Sequence, residues 1–260
     1  MNKLLIFYIF FISSATVLAE DRELAKLFTE LDIDGTIVIS SLHSGQSFIH
    51  NNTRASHRFT AASTFKVLNV LISIEEKAIS GKDTVIKWDG HIYNFKAWNG
   101  DQTLESAFKI SCVWCFQYLA HRVGAVKYSN YIHKLSYGKL REPFEETTFW
   151  LDGSLRISAI EQINFLKELY RRSLPFSRPA YELLQEIMVV EKTSAFIIRA
   201  KTGWATRMKP KVGWYIGYVE TKEDVWFFAT NININNKSDL PLRQQVTREA
   251  LKVKGIIADV

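Results

Sequence analysis

Apolar residues recur at helical spacing in some stretches and alternate with polar ones in others, and the two patterns occupy different parts of the chain. Residues 21–31 carry apolar positions three and four apart, which predicts a helix. Runs rich in β-branched residues at 36–42 and 46–50 flank His43-Ser44-Gly45, a hairpin signal. Helical spacing returns from Ser63 to about Lys77 and stops near Gly81. The strongly apolar stretch 104–123 predicts one long helix ended by Gly124, and another follows to about Leu135. Ser158-x-x-Glu161 reads as a capping box opening a helix to about Tyr170, and 177–188 is again helical. Residues 195–200, 212–220 and 225–231 are rich in β-branched and aromatic residues, which predicts strands, and a last helix covers about 241–253. The predicted fold is α/β of the α+β type. A central antiparallel sheet holds both ends of the chain, helices flank it, and an all-helical block is inserted between. No repeat, low-complexity tract or Gly/Ser linker divides residues 20–260, which read as a single catalytic-size domain.

Residues 1–19 have a different layout: a basic start at Lys3, an apolar core over 4–12, then Val17-Leu18-Ala19. This predicts a secretory signal peptide cleaved after Ala19, because a membrane span needs about 20 apolar residues. The mature chain is then expected to be soluble, in the periplasm or secreted, with no membrane partner. The alternative is an uncleaved anchor.

Composition narrows the function classes. The 260 residues hold 33 Lys plus Arg and 27 Asp plus Glu, so 33 − 27 = +6, with 47% hydrophobic residues. That excludes a disordered chain and a disulfide-dense miniprotein. The basic residues are dispersed, which argues against nucleic acid; a positive protein instead favours anionic small molecules. The 6 His show no ligand spacing, so no metal is expected. There is no P-loop, dinucleotide fingerprint or Gly-x-Ser-x-Gly. Cys112 and Cys115 offer too few ligands for structural zinc. Lying in an apolar run, they read first as two buried residues on a helix, and second as a disulfide suited to an oxidising compartment.

The candidate chemistry begins at Ser63-Thr64-Phe65-Lys66. A serine and lysine three apart share one helix face. At a helix start the serine meets unpaired N–H groups, and burial among Phe65, Val67 and Leu68 disfavours the charged lysine. A neutral amine can act as a base or react with carbon dioxide. Ser-x-x-Lys occurs three times, at Ser63/Lys66, Ser106/Lys109 and Ser136/Lys139, against about 1.5 expected by chance. Only Ser63 opens a helix. Lys201-Thr202-Gly203, at the end of a β-run, offers a carboxylate a cation and a hydroxyl, with a glycine that admits close approach. Ser111-Cys112-Val113 places a hydroxyl on an apolar helix.

These elements in this order resemble the serine penicillin-recognising enzymes. Phe149-Trp150-Leu-Asp-Gly-Ser-Leu-Arg-Ile-Ser158, Lys201-Thr-Gly-Trp204, Gly213-Trp214-x-x-Gly217 and Leu242-Arg243-Gln244 narrow the resemblance to the class D, oxacillinase-type β-lactamases, from about residue 35 to 257. The resemblance implies a β-lactam hydrolase that confers resistance. Ser63 would be the nucleophile, and Lys66, N-carboxylated, the general base for acylation and deacylation. Trp150 would hydrogen-bond that carbamate, Val113 would cap its pocket, and Ser111 would pass a proton to the leaving nitrogen. The N–H groups of Ser63 and Trp204 would form the oxyanion hole. Lys201, counted with the catalytic group, would bind the substrate carboxylate with Thr202 and Arg243, beside Gly203. No cofactor is implied beyond carbon dioxide or bicarbonate, and the chain would be a monomer or homodimer. Penicillins are the implied substrates. The short basic loop 204–211, with Arg207, resembles that of members acting on carbapenems, or is a solvated turn. Lys139 departs from the family's Tyr-Gly-Asn, and the cysteine pair is also unusual. Two competing readings share the fold: a β-lactam sensor that stays acylated, and a peptidoglycan D,D-peptidase. Deacylation rate divides them.

Overall fold

The β-branched and aromatic runs from the two ends of the chain pair with one another. The computed structural model describes residues 20–258, so the signal-peptide segment 1–19 lies outside the described residues. Strands β1 (Gly35–Ser41) and β2 (Ser47–His50) form the expected hairpin behind helix α1 (Arg22–Glu30). After α2 (Asn52–Ser56), the two-residue strand β3 (Phe59–Thr60) leads through a 3-10 turn, Ala62–Phe65, into α3 (Lys66–Glu75). The helical block adds α4 (Leu104–Lys109), α5 (Val113–Val123) and α6 (Ala125–Lys134), with the short pair β4 (Val85–Ile86) and β5 (Gln102–Thr103) before it. Strands β6 (Lys139–Leu140) and β7 (Leu155–Ile157) extend β3 into a small sheet, and α7 (Ala159–Arg171) and α8 (Arg178–Ile187) close the block. Then come β8 (Val189–Lys192), β9 (Phe196–Ala205), β10 (Val212–Thr221), β11 (Val225–Asn233) and α9 (Leu242–Val253). The main sheet runs β2-β1-β11-β10-β9-β8, antiparallel throughout.

Period two divides the sheet's side chains between two cores. Trp214, Ile216, Tyr218 and Phe227 join the helical block on one face. Ile39, Val219, Phe228 and Ile232 pack under α1 and α9 on the other. Every residue of β1 is therefore buried. The capping box at Ser158 is present: Glu161 N–H donates to Ser158 Oγ at 3.2 Å and Ser158 N–H to Glu161 Oε2 at 2.9 Å. Among the described residues, no helix is long and apolar enough to cross a membrane.

Three expectations need correction. The stretch 104–123 is two helices, broken at Ser111, whose φ of +56° is left-handed; hydropathy registers the apolar run but not the turn. Cys112 and Cys115 are not two unpaired helical side chains. Cys112 is the N-cap of α5, and the pair forms a disulfide. Lys201-Thr202-Gly203 lies inside β9 rather than at its end, so the following loop shortens to 206–211. Strand β8, too short to show in the pattern, pairs only with the start of β9. Residues 201–205 consequently present a sheet edge with no strand beside it.

Candidate active site

The Ser63 turn is built by its neighbours. Ala62 takes φ +48°, and its N–H donates to Trp150 O at 2.8 Å. Thr64 Oγ1 donates to Ala61 O at 2.6 Å and accepts from Gln162 Nε2 at 2.8 Å. Ser63 thus sits in a 3-10 turn continuous with α3 rather than in its first α-helical turn, and its pairing with Lys66 survives the difference. Lys66 Nζ donates to Ser63 Oγ at 3.1 Å.

Lys66 is fully buried. Phe116 lies with its ring centroid 4.8 Å from Nζ. Burial holds the amine well below its ordinary pKa, and the nearby Lys201 charge pushes it further. Phe65 stacks on Trp150 with centroids 5.7 Å apart. Trp150 is itself wholly buried, and its indole N–H has no partner. A buried donor left unsatisfied costs about 1–3 kcal/mol, so this N–H calls for an acceptor. Val113, the first residue of α5, is half-buried.

On the facing edge, Lys201 Nζ donates to Ser111 Oγ. Burial, with Arg243 nearby, pulls Lys201 down to about 7. Thr202 and Trp204 are half-buried, and Arg243 Nη1 donates to Gly203 O at 2.8 Å. Arg243 Nε is buried without a partner, and burial lowers the guanidinium to about 10. A buried Lys201 and a half-buried Arg243, both held below their usual pKa, form a site that an anion stabilises. A cavity of about 380 Å³ opens beside Lys201, walled by Phe108, Thr202, Tyr215 and Gln244.

The other two Ser-x-x-Lys matches do not converge. Ser106 caps α4, Lys109 pairs with Glu105 at 2.6 Å, and Lys139 is exposed. Sequence reasoning missed Gln162, which fixes the Ser63 turn. Its signal was a polar residue on the buried stripe Ala159, Gln162, Ile163 and Leu166 of α7. It also missed Asp152, which feels the Arg207 charge. Burial pushes the Asp152 carboxyl up, but hydrogen bonds from Ser154 and Thr148, with the Arg207 charge, hold it below its usual value. Among the described residues, no group of three or more His, Cys, Asp or Glu could hold a metal.

Residues 35–252 match the family model described as the penicillin binding protein transpeptidase domain. The chain is 39% identical to β-lactamase OXA-48 of Klebsiella pneumoniae, covering 92% of this chain and 90% of that one. It belongs to the class D β-lactamases. The class D β-lactamase YbXI from Nostoc superposes with a TM-score of 0.88 at 39% identity, over 90% of this chain and 99% of that one. FUS-1 (OXA-85), a class D β-lactamase of Fusobacterium nucleatum subsp. polymorphum, gives 0.89 at 33% identity, over 92% and 100%.

Lys139 and the cysteine pair, which the sequence sets apart from the pattern the resemblance implies, differ in their placement. Lys139 starts β6 opposite Arg156, with its side chain in solvent. The disulfide, by contrast, directly follows Ser111.

Proposed function

We propose that this chain hydrolyses β-lactam antibiotics through an ester on Ser63, with Lys66 in its N-carboxylated form as general base. The observation that carries the reading is a buried, charge-disfavoured Lys66 amine 3.1 Å from Ser63 Oγ, in a core where the adjacent Phe65 stacks on Trp150, whose buried N–H has no acceptor. Carbon dioxide adding to a neutral Lys66 amine releases one proton and leaves an anionic oxygen base, for which the Trp150 N–H and the Phe116-lined pocket are a fit.

The chain's own residues supply the rest. The Lys201 and Arg243 cations and the Thr202 hydroxyl bind the substrate carboxylate. Ser63 gives its hydroxyl proton to the Lys66 carbamate and its Oγ attacks the lactam carbonyl; an O–C bond forms, the ring C–N bond breaks, and Ser111 passes the ring nitrogen a proton that Lys201 replaces. The N–H groups of Ser63 and Trp204 stabilise the oxyanion, each typically contributing about 10²–10³ in rate. Gly203 brings β9 close enough to the Ser63 turn for both to serve. Water then cleaves the ester. Exported by residues 1–19, such an enzyme lowers the antibiotic concentration outside the cytoplasm and confers resistance.

Hydrolysis of a chromogenic cephalosporin by the purified protein tests this. The expected result is continuous turnover that added bicarbonate raises, abolished or trapped as acyl-enzyme in Lys66→Ala. A stoichiometric burst that stops with or without bicarbonate would mean a stable acyl-sensor instead, and normal turnover by Lys66→Ala would remove the base. Penicillins are the expected good substrates. Carbapenem hydrolysis rests on the loop 206–211; no carbapenem turnover beside brisk penicillin turnover would exclude it.

A further inference from the structure

Two of the chain's α-helices, α4 and α7, are capped by residue pairs three apart. In α4, Ser106 N–H donates to Thr103 Oγ1 at 3.1 Å and Thr103 N–H to Ser106 Oγ at 3.0 Å; in α7, Ser158 and Glu161 do the same. The N-cap and third residue of α5 are Cys112 and Cys115. These are joined by a disulfide with Cα atoms 5.5 Å apart, and both are wholly buried. Sulfur is a weak acceptor, and the Cys115 N–H to Cys112 Sγ contact is 3.2 Å. The covalent bond stands where a hydrogen-bonded capping box stands elsewhere.

The residue before this cap is Ser111, in a left-handed conformation that non-glycine residues seldom adopt. Its hydroxyl receives the Lys201 hydrogen bond. On its other side Trp98 Nε1 donates to Ile110 O at 3.2 Å, and Trp114 Nε1 to Trp98 O at 3.0 Å. Ser111 therefore lies between an aromatic strap and the disulfide. The cysteines are only 3 residues apart in sequence, so the bond closes a short loop and constrains the unfolded chain little. Its effect is local.

We infer that the Cys112–Cys115 disulfide is a covalent N-cap whose function is to hold Ser111 against Lys201, so that acylation depends on the oxidised cysteine pair. This rests on the reading of Ser111 as the proton carrier. The cysteines are positioning residues, since neither touches the reacting atoms.

The test is the single-turnover acylation rate on a chromogenic cephalosporin at saturating bicarbonate. It compares the native protein, protein kept in a phosphine reductant from lysis onward, Cys112→Ala/Cys115→Ala, and Cys112→Thr/Cys115→Ser, which copies the cap of α4. Opening the S–S bond to two thiols takes two electrons and two protons, supplied by phosphine and water as the phosphine becomes its oxide. The reduced protein and the alanine pair should acylate about tenfold or more slowly, with the half-saturating bicarbonate concentration unchanged. The Thr/Ser pair should stay within about threefold of native and ignore reductant. A merely structural bond would lower melting temperature and leave the acylation rate of folded protein alone; that result overturns the proposal, as do two titratable thiols in the native protein. If the alanine pair does not fold, the reduced native protein and the Thr/Ser pair decide. A native protein that never acylates overturns the hydrolase reading itself. Native acylation matched by Ser111→Ala overturns the role of Ser111, and the proposal with it.

Discussion

Gly203 lies so close to the Ser63 turn that a Cβ there would stand 3.1 Å from Thr64 Cγ2 and 3.3 Å from Thr64 N. The second contact is backbone and cannot rotate away. The glycine in Lys201-Thr202-Gly203 therefore sets the distance between β9 and the Ser63 turn and, on the proposed mechanism, the spacing of the Ser63 and Trp204 N–H groups. Gly203→Ala should lower kcat about tenfold to a hundredfold while the melting temperature moves by less than about 5 °C. Steady-state kinetics with a thermal melt decides this; unchanged kcat would mean the turn yields freely.

Trp150 is the other buried group whose chemistry outruns its packing. Phe at this position keeps an aromatic ring against Phe65 and deletes the unpartnered N–H along with part of the buried indole. Trp150→Phe should fold, at a cost of about 1–2 kcal/mol for the space it leaves. The bicarbonate concentration for half-maximal activity should rise about 10–100-fold, as losing a hydrogen bond to a charged acceptor predicts. An unchanged bicarbonate curve would detach Trp150 from the base.

Tyr137-Gly138-Lys139 differs from the family pattern at its last residue, and the structure explains why that residue is free to differ. Tyr137 is buried, and a Cβ at Gly138, with φ +68°, would collide with the Arg156 carbonyl oxygen. Lys139 points to solvent. Lys139→Asn should change kcat/KM less than about twofold and stability by less than about 0.5 kcal/mol. Gly138→Ala should destabilise by about 2 kcal/mol or more. Urea denaturation of the two variants measures both.

Much of this was legible because fold and chemistry share a periodicity. The capping box at Ser158, the hairpin at His43-Ser44-Gly45 and the β-branched and aromatic runs of β10 and β11 are local patterns, and the structure keeps them. Ser63 stood out from the other Ser-x-x-Lys matches because its helical pattern starts there after Ala61-Ala62, although Ser106 also proves to lie in a first helical turn. The break at Ser111 was hidden, because a left-handed residue inside an apolar run leaves hydropathy unchanged. The full length of β9 was hidden too, because Lys201 and Thr202 are polar residues held by a sheet edge that the alternation cannot anticipate. Gln162 escaped notice because its partner, Thr64, is 98 residues away.

Lys201 also makes stability depend on pH. In the folded chain, burial with Arg243 nearby pulls its pKa from 10.5 to about 7; in the unfolded chain the amine keeps its ordinary value. Between about 7 and 10.5 the unfolded chain therefore binds a proton that the folded chain does not, and stability rises with pH by up to about 1.4 kcal/mol per pH unit from this group. The contribution is complete above the unfolded value and lost as pH falls through the folded one. Lys66 acts in the same direction, so Lys201 must be isolated by difference. Urea midpoints of the native protein and Lys201→Met, taken at pH 7 and pH 9, should diverge, with the native protein gaining more on the alkaline side. Parallel midpoints would mean that Lys201 stays charged across this range, bearing its proton at neutral pH without a bound carboxylate to stabilise it.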